Sequence, residues 1–310
     1  MALGYDGKLY MLAFDHRGSF QKNWFGIETD PTPEQTLQIS DGKHLVFEGL
    51  EAALERGAEP SVSGALVDEQ FGEPTGVPQA IKARGVKLAM PVEKSGQNEF
   101  DFAYGEDFGA HIEEFDPNFS KVLVRYNPEG DEEMNRTQAE KLKRLADWLH
   151  EHDRKFLFEL LVPAEPDQLE SVGGDEERYD RELRPELMRH AILDLQDAGV
   201  EADIWKIEGI DSQEDCKRIS ETARRDGRDG VICVVLGRGA NDAKVEHWLR
   251  TGAPVEGYAG FAIGRTIWWD ALKGFLDGDL ERGDAVCQIA KKYLRFVQVY
   301  REAAREHATA

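Results

Sequence analysis

The sequence predicts a closed (β/α)8 barrel, on three observations. Eight short apolar runs recur along the 310 residues, amphipathic stretches with helical spacing fill the intervals, and charged residues gather at the ends of the runs. Near-continuous apolar runs suit strands buried on both faces, as in a parallel sheet. Strands alternating with helices and no evident linker suit a barrel, so one domain over residues 1–310 is expected. A doubly wound open sheet is the alternative. No GxGxxG follows the first run and no Walker A sequence occurs anywhere, which argues against nucleotide binding by either loop.

Taken in order, the expected strands are LYMLAFDHR (9–17), SGALVDEQF (63–71), VKLAMPVEK (86–94), KVLVRY (121–126), KFLFELLVP (155–163), ADIWKIEG (202–209), GVICVVLGR (230–238) and YAGFAIGR (258–265). Helices are expected over 36–56, 137–152, 186–198, 213–225 and 242–250, several after a Pro, Ser, Asn or Asp start signal. The third crossover is expected to hold only a short helix over 108–115. Residues 279–307 read as one long helix with a polar tail, placed beneath the barrel or against a partner subunit, so a homo-oligomer is allowed for.

With 60 Asp+Glu against 38 Lys+Arg, the net charge is −22. Such a surface repels nucleic acid and anionic membranes, and its ordinary use is solvation. Neither an N-terminal export signal nor a membrane span is visible. Cys216, Cys233 and Cys287 are far apart and lack CxxC spacing, so neither disulfides nor a zinc site is indicated and a cytoplasmic setting is expected.

In such barrels the chemistry sits at the C-terminal strand ends, where this chain places Asp15, His16, Arg17, Asp68, Glu69, Glu93, Lys94, Arg125, Glu159, Lys206, Glu208, Arg238 and Arg265. Lys206, between Ile204, Trp205 and Ile207, is expected in an apolar surround that would lower its pKa and free the amine to attack a ketone, with Lys121 and Lys94 as neighbouring cations. The structural alternative is a salt bridge to Asp203 or Glu208. Glu159, also flanked by apolar residues, would be a general acid/base if isolated, or an ionised partner of Lys121 or Lys206 if paired. Asp15 is the other candidate carboxylate, or else a loop cap. Gly264 and Arg265 precede a helix and suit an anion, with Arg238 in GRGA (237–240) repeating that chemistry. Solvated surface turns are the plain alternative.

Together, LAFDHRG, LVDEQFG, MPVEKSG, KVLVRYNP, FELLVP, IWKIEG and GFAIGRTIW resemble the class I tagatose-1,6-bisphosphate aldolase group of (β/α)8 barrels. The resemblance is closer to the aldolase domain of bacterial myo-inositol catabolism, which cleaves 2-deoxy-5-keto-D-gluconate 6-phosphate, and it runs from about residue 8 to 275. It implies Lys206 as the Schiff-base lysine, Glu159 as the acid/base, Asp15 as an active-site aspartate, Lys121 as the lysine beside the Schiff base, and Gly264 with Arg265 as the phosphate site. No cofactor is implied. His16 stands where the tagatose enzymes usually carry Gln, which with Arg125-Tyr126-Asn127 after strand 4 points away from a bisphosphate. Arg125 or Arg17 would meet a substrate carboxylate, with Lys94, Asp68 and Arg238 as further substrate contacts. The rival expectations are a tagatose bisphosphate or sulfonated fructose phosphate aldolase, a catalytically silent sugar-phosphate sensor, and a metal lyase using Asp68, Glu93 and Glu208.

Overall fold

The computed structural model describes residues 2–308. Strands β1 (Leu9–Ala13), β2 (Ser63–Leu66), β3 (Lys87–Pro91), β4 (Phe119–Arg125), β5 (Lys155–Leu161), β6 (Ile204–Glu208), β7 (Ile232–Leu236) and β8 (Tyr258–Ile263) pair in parallel and in chain order. Pairing of β1 with β8, Leu9 against Gly260 to Leu12 against Ile263, closes the barrel and excludes the open sheet. Every strand ends earlier than the apolar runs suggested, although Phe14, Val67, Val92 and Tyr126 just beyond four of them still donate to the neighbouring strand.

The helices start where side chains can satisfy free amides. Thr32 and Gln35 form a reciprocal capping box at Pro33–Glu55, while Asp131, Ser212 and Asn241 accept from the backbone N–H of Met134, Asp215 and Lys244. The short helix Phe108–Phe115 falls where expected. Short helices at Gly18–Phe25, Val77–Ala83, Pro166–Ser171 and Glu176–Glu182 were not foreseen, being too brief to show a period. The long final helix, Arg282–Ala308, lies beside the barrel rather than beneath it. Arg282 bonds Glu48 and Asp41 on Pro33–Glu55, and the Tyr293 hydroxyl donates to the Tyr10 carbonyl at 2.8 Å. Among the described residues no helix is long and apolar enough to cross a membrane.

Alternation along each strand divides two cores. Phe158, Leu160, Trp205 and Ile207 pack outward against the helices. Leu9, Met11, Leu66, Phe119, Leu157, Ile204 and Val234 fill the barrel, with Tyr5 packed edge-on to Phe119 at the N-terminal end. Buried Asp203 fastens that end, accepting from the Gly4 amide (2.7 Å), the Phe156 amide (2.8 Å), Lys155 Nζ (2.9 Å) and His150 Nε2 (3.2 Å). It therefore cannot be the partner of Lys206 that the sequence allowed. Burial opposes its charge, but His150 and Lys155 outweigh that and hold the Asp203 carboxyl below its usual value. Asp203→Ala should destabilise the fold by about 3 kcal/mol in urea unfolding, because charged hydrogen bonds are lost and two amides are left dry. A loss below about 1 kcal/mol would show that water replaces the carboxylate there.

Candidate active site

Three strands carry the centre of the site on their inward positions. Glu159 of β5 is the cross-strand neighbour of Lys206 on β6, and Lys121 of β4 stands beside Leu157. Glu159 Oε2 lies 2.9 Å from Lys206 Nζ and 3.0 Å from Lys121 Nζ. Lys121 Nζ also meets Asp15 Oδ2 at 2.8 Å and Glu93 Oε1 at 2.9 Å. Lys206, Lys121 and Glu159 are 2%, 1% and 5% exposed, so water does little to screen these charges.

The apolar surround expected for Lys206 does not exist on its own side of the sheet. Trp205 and Ile207 alternate outward, so the amine faces Glu159 instead. The same geometry decides for Glu159, whose Phe158 and Leu160 neighbours face the helices. Burial would push its carboxyl up, but Lys121 and Lys206 outweigh burial and hold it below its usual value. Asp15 is likewise lowered, burial being overcome by Lys121 and Lys206. Lys121 is raised: burial opposes its charge, but Asp15, Glu159 and Glu93 prevail. Glu93 goes the other way, with burial raising its carboxyl despite Lys121 and Arg17.

Asp15, His16 and Arg17 follow β1 as a polar segment, held by a residue that the sequence reading missed. Lys43, buried on Pro33–Glu55, donates to the Phe14 carbonyl, to the His16 carbonyl at 2.7 Å and to Asp68 Oδ1 at 2.5 Å. Its signal was present: Ile39, Lys43, Val46 and Leu50 occupy one buried helical stripe. Burial lowers the His16 imidazole to about 4, with Lys43 and Arg265 adding to that effect against Asp15, so His16 is neutral at pH 7. Its Nδ1 is buried and finds no partner among the described residues, as is true of Arg17 Nε.

Asp68 is not placed for substrate. One oxygen takes Lys43, the other accepts from the Phe71 amide at 2.9 Å, and the residue is fully buried. Lys94 is exposed, its backbone N–H bonded to the Asp101 carbonyl, and so is not the cation beside Lys206. Arg125 ends β4 and donates to the Gln97 carbonyl at 2.9 Å, whereas Arg17 reaches Glu93 at 3.3 Å. Glu208 sits between Arg238 (3.0 Å) and Arg184 (3.6 Å), and Asp180 takes both arginines. Asp68, Glu93 and Glu208 thus belong to three separate ion pairs, and no group of three or more metal-ligating side chains exists among the described residues.

Gly264 and Arg265 open the helix Arg265–Leu276 without a side-chain cap, the Ile267 amide donating to the Gly264 carbonyl at 2.8 Å. A Cβ on Gly264 would lie 2.3 Å from the Ala13 carbonyl oxygen, so only glycine allows that approach to β1. Arg265 is half-buried and donates to the Arg238 carbonyl at 2.9 Å. A depression of about 620 Å³ lies at the opposite end, between residues 2–8 and Gly230, Gly257 and Tyr258, away from these groups.

Fold and site together define a (β/α)8 barrel with two buried lysines sharing one carboxylate inside the barrel. The chain belongs to the family described as "Uncharacterized protein conserved in bacteria (DUF2090)", whose model matches residues 5–304. Tagatose 1,6-diphosphate aldolase 2 of Streptococcus pyogenes serotype M1 is 27% identical over 166 residues, 52% of this chain and 46% of that protein. The aldolase of the same name from serotype M3, strain MGAS315, is 26% identical over the same span. The matches cover about half the length of these relatives. The crystal structure of Cgl0159 from Corynebacterium glutamicum shares the fold at a TM-score of 0.55 and 16% identity, over 94% of this chain and 88% of that one.

Proposed function

We propose that this chain is a class I, Schiff-base aldolase that cleaves 2-deoxy-5-keto-D-gluconate 6-phosphate to dihydroxyacetone phosphate and malonate semialdehyde. The observation that carries the reading is Glu159 set 2.9 Å from Lys206 and 3.0 Å from Lys121 inside the barrel. Imine formation needs the free amine, and Glu159 is one hydrogen bond away to accept its proton. Lys206 attacks the C5 ketone, and loss of water leaves an iminium. Asp15 or Glu159 takes the C3 hydroxyl proton. The C3–C4 bond breaks, its electron pair enters the iminium to give an enamine, and malonate semialdehyde leaves. Protonation at C4 and addition of water then release dihydroxyacetone phosphate and restore the amine.

Arg265 and the helix start are assigned to the phosphate. Arg17, half-buried with Nε unpartnered, suits the C1 carboxylate better than Arg125 does. Similarity to tagatose 1,6-diphosphate aldolases supports sugar-phosphate aldol chemistry, and that bisphosphate is the competing substrate. Borohydride reduction in the presence of dihydroxyacetone phosphate should add mass at Lys206, and a panel of keto-sugar phosphates should show release from the keto acid. Release from tagatose bisphosphate alone would transfer the assignment to that substrate. No adduct under reducing conditions would end the Schiff-base reading.

Glu159→Gln should form the borohydride-trapped adduct more slowly but still measurably, while turnover falls by about 10²–10⁴-fold, the usual worth of general acid/base catalysis. Single-turnover trapping compared with steady-state release separates the two steps. An unchanged rate would assign the proton transfers to Asp15.

A further inference from the structure

Arg238 and Arg265 look interchangeable in sequence, each an arginine next to glycine after a late strand, yet the structure uses them differently. The Arg238 guanidinium is already engaged: Nη1 lies 2.6 Å from Asp180 and Nε 3.0 Å from Glu208, and Arg184 completes the set at 2.9 Å from Asp180. Two arginines and two carboxylates leave no net charge for an anion. Arg265 has no carboxylate within ion-pair distance among the described residues, and its guanidinium donates to a backbone carbonyl.

That carbonyl belongs to Arg238, whose φ is 52°, a left-handed backbone that a residue with a Cβ avoids. Gly239 follows at φ 76°, and a Cβ there would lie 3.0 Å from Arg265 Cζ, so the turn is shaped around that guanidinium. Ala240 N–H closes the turn on the Gly237 carbonyl at 2.9 Å, and the Thr266 hydroxyl donates to the Ala240 carbonyl at 2.8 Å. Glycine would satisfy the backbone at position 238 without strain. An arginine there is accounted for by its side chain, which ties the turn to Asp180 on Glu176–Glu182 and to Glu208 at the end of β6.

We propose that Arg238 is a positioning residue for the anion site: its ion pairs with Asp180 and Glu208 hold the 237–240 turn in the form that seats Arg265. The proposal rests on the reading of Arg265 as the phosphate anchor. Its ligand class is the phosphoryl group of a phosphorylated ketone.

The test measures dissociation constants for inorganic phosphate and dihydroxyacetone phosphate by calorimetry, alongside the borohydride trapping rate with unphosphorylated dihydroxyacetone. R238G, which keeps the turn accessible but cuts the tie, should weaken both phosphate-bearing ligands by about three- to tenfold, in the lower part of the range of short-range coupling, and leave dihydroxyacetone trapping unchanged. D180N, which removes the tie from the other end, should produce a loss of the same kind, and R238K should rescue part of it. The double variant D180N/R238G should lose no more than R238G alone. Equal losses for phosphorylated and unphosphorylated ligands, or no loss in a folded R238G or D180N protein, would overturn the proposal. R265A separates the two levels: if it binds phosphate as the wild type does, the anchor reading falls and the proposal with it, whereas weakened R265A beside unchanged R238G removes the proposal alone. Absence of trapping in the wild type would remove the Schiff-base reading and leave the phosphate comparison decisive for Arg238. Should R238G fail to fold, D180N decides.

Discussion

Lys206→Met should give a folded protein that forms no borohydride-trapped adduct and shows no detectable cleavage. The fold survives because methionine matches the lysine stem in volume and because the carboxylate that Lys206 meets keeps a second cation. Glu159 is not left without a countercharge, since Lys121 stays 3.0 Å away. The chemistry does not survive, because a thioether cannot form an imine. Thermal unfolding, adduct mass and product release measured on the same preparation check all three statements. Turnover in a folded variant would sink the assignment, and an adduct on Lys121 would relocate the nucleophile to β4.

Much of the barrel was legible because its strands are buried on both faces and read as apolar runs. Strand ends were less so. In LAFDHRG the apolar run continues to Phe14, whose N–H still donates to the Leu66 carbonyl of β2 at 2.8 Å, although β1 itself ends at Ala13; from Asp15 onward the side chains meet Lys121 and Glu93. The partners of a charged strand residue were least legible of all. Flanking residues such as Trp205 and Phe158 describe the opposite face of the sheet, whereas the partners of Lys206 and Glu159 come from the next strands, and register is not written in a single segment. Arg238 shows the same limit. Its glycine neighbours announced a turn, but its engagement by Asp180 depends on the short helix Glu176–Glu182, which carries too little periodicity to be foreseen.

Lys121→Met should be the most destabilising single change in the site, by about 3–5 kcal/mol, because it leaves buried carboxylates without their shared ammonium. Glu93 would keep Arg17 at 3.3 Å and Glu159 would keep Lys206 at 2.9 Å, but Asp15 would lose the ammonium 2.8 Å from its carboxylate. The pH dependence follows from the directions of the shifts. Asp15 and Glu159 are lowered in the fold, so their stabilisation is present above the unfolded carboxylate value of about 4 and is lost as pH falls through the folded values. Glu93 is raised, so ionising it as pH rises through its folded value offsets part of that gain. Lys121 is raised as well, so its contribution is full below the unfolded lysine value of about 10.4 and fades only as pH climbs through the folded one. The wild-type advantage over the variant should therefore be largest around neutral pH and shrink below about pH 4, where Asp15 in the variant is protonated and needs no partner. Urea unfolding of both proteins at about pH 7 and about pH 3 reads this directly. A penalty that stays constant between those conditions would mean that Lys121 acts through packing of its stem, not through the charge it shares with Asp15, Glu93 and Glu159.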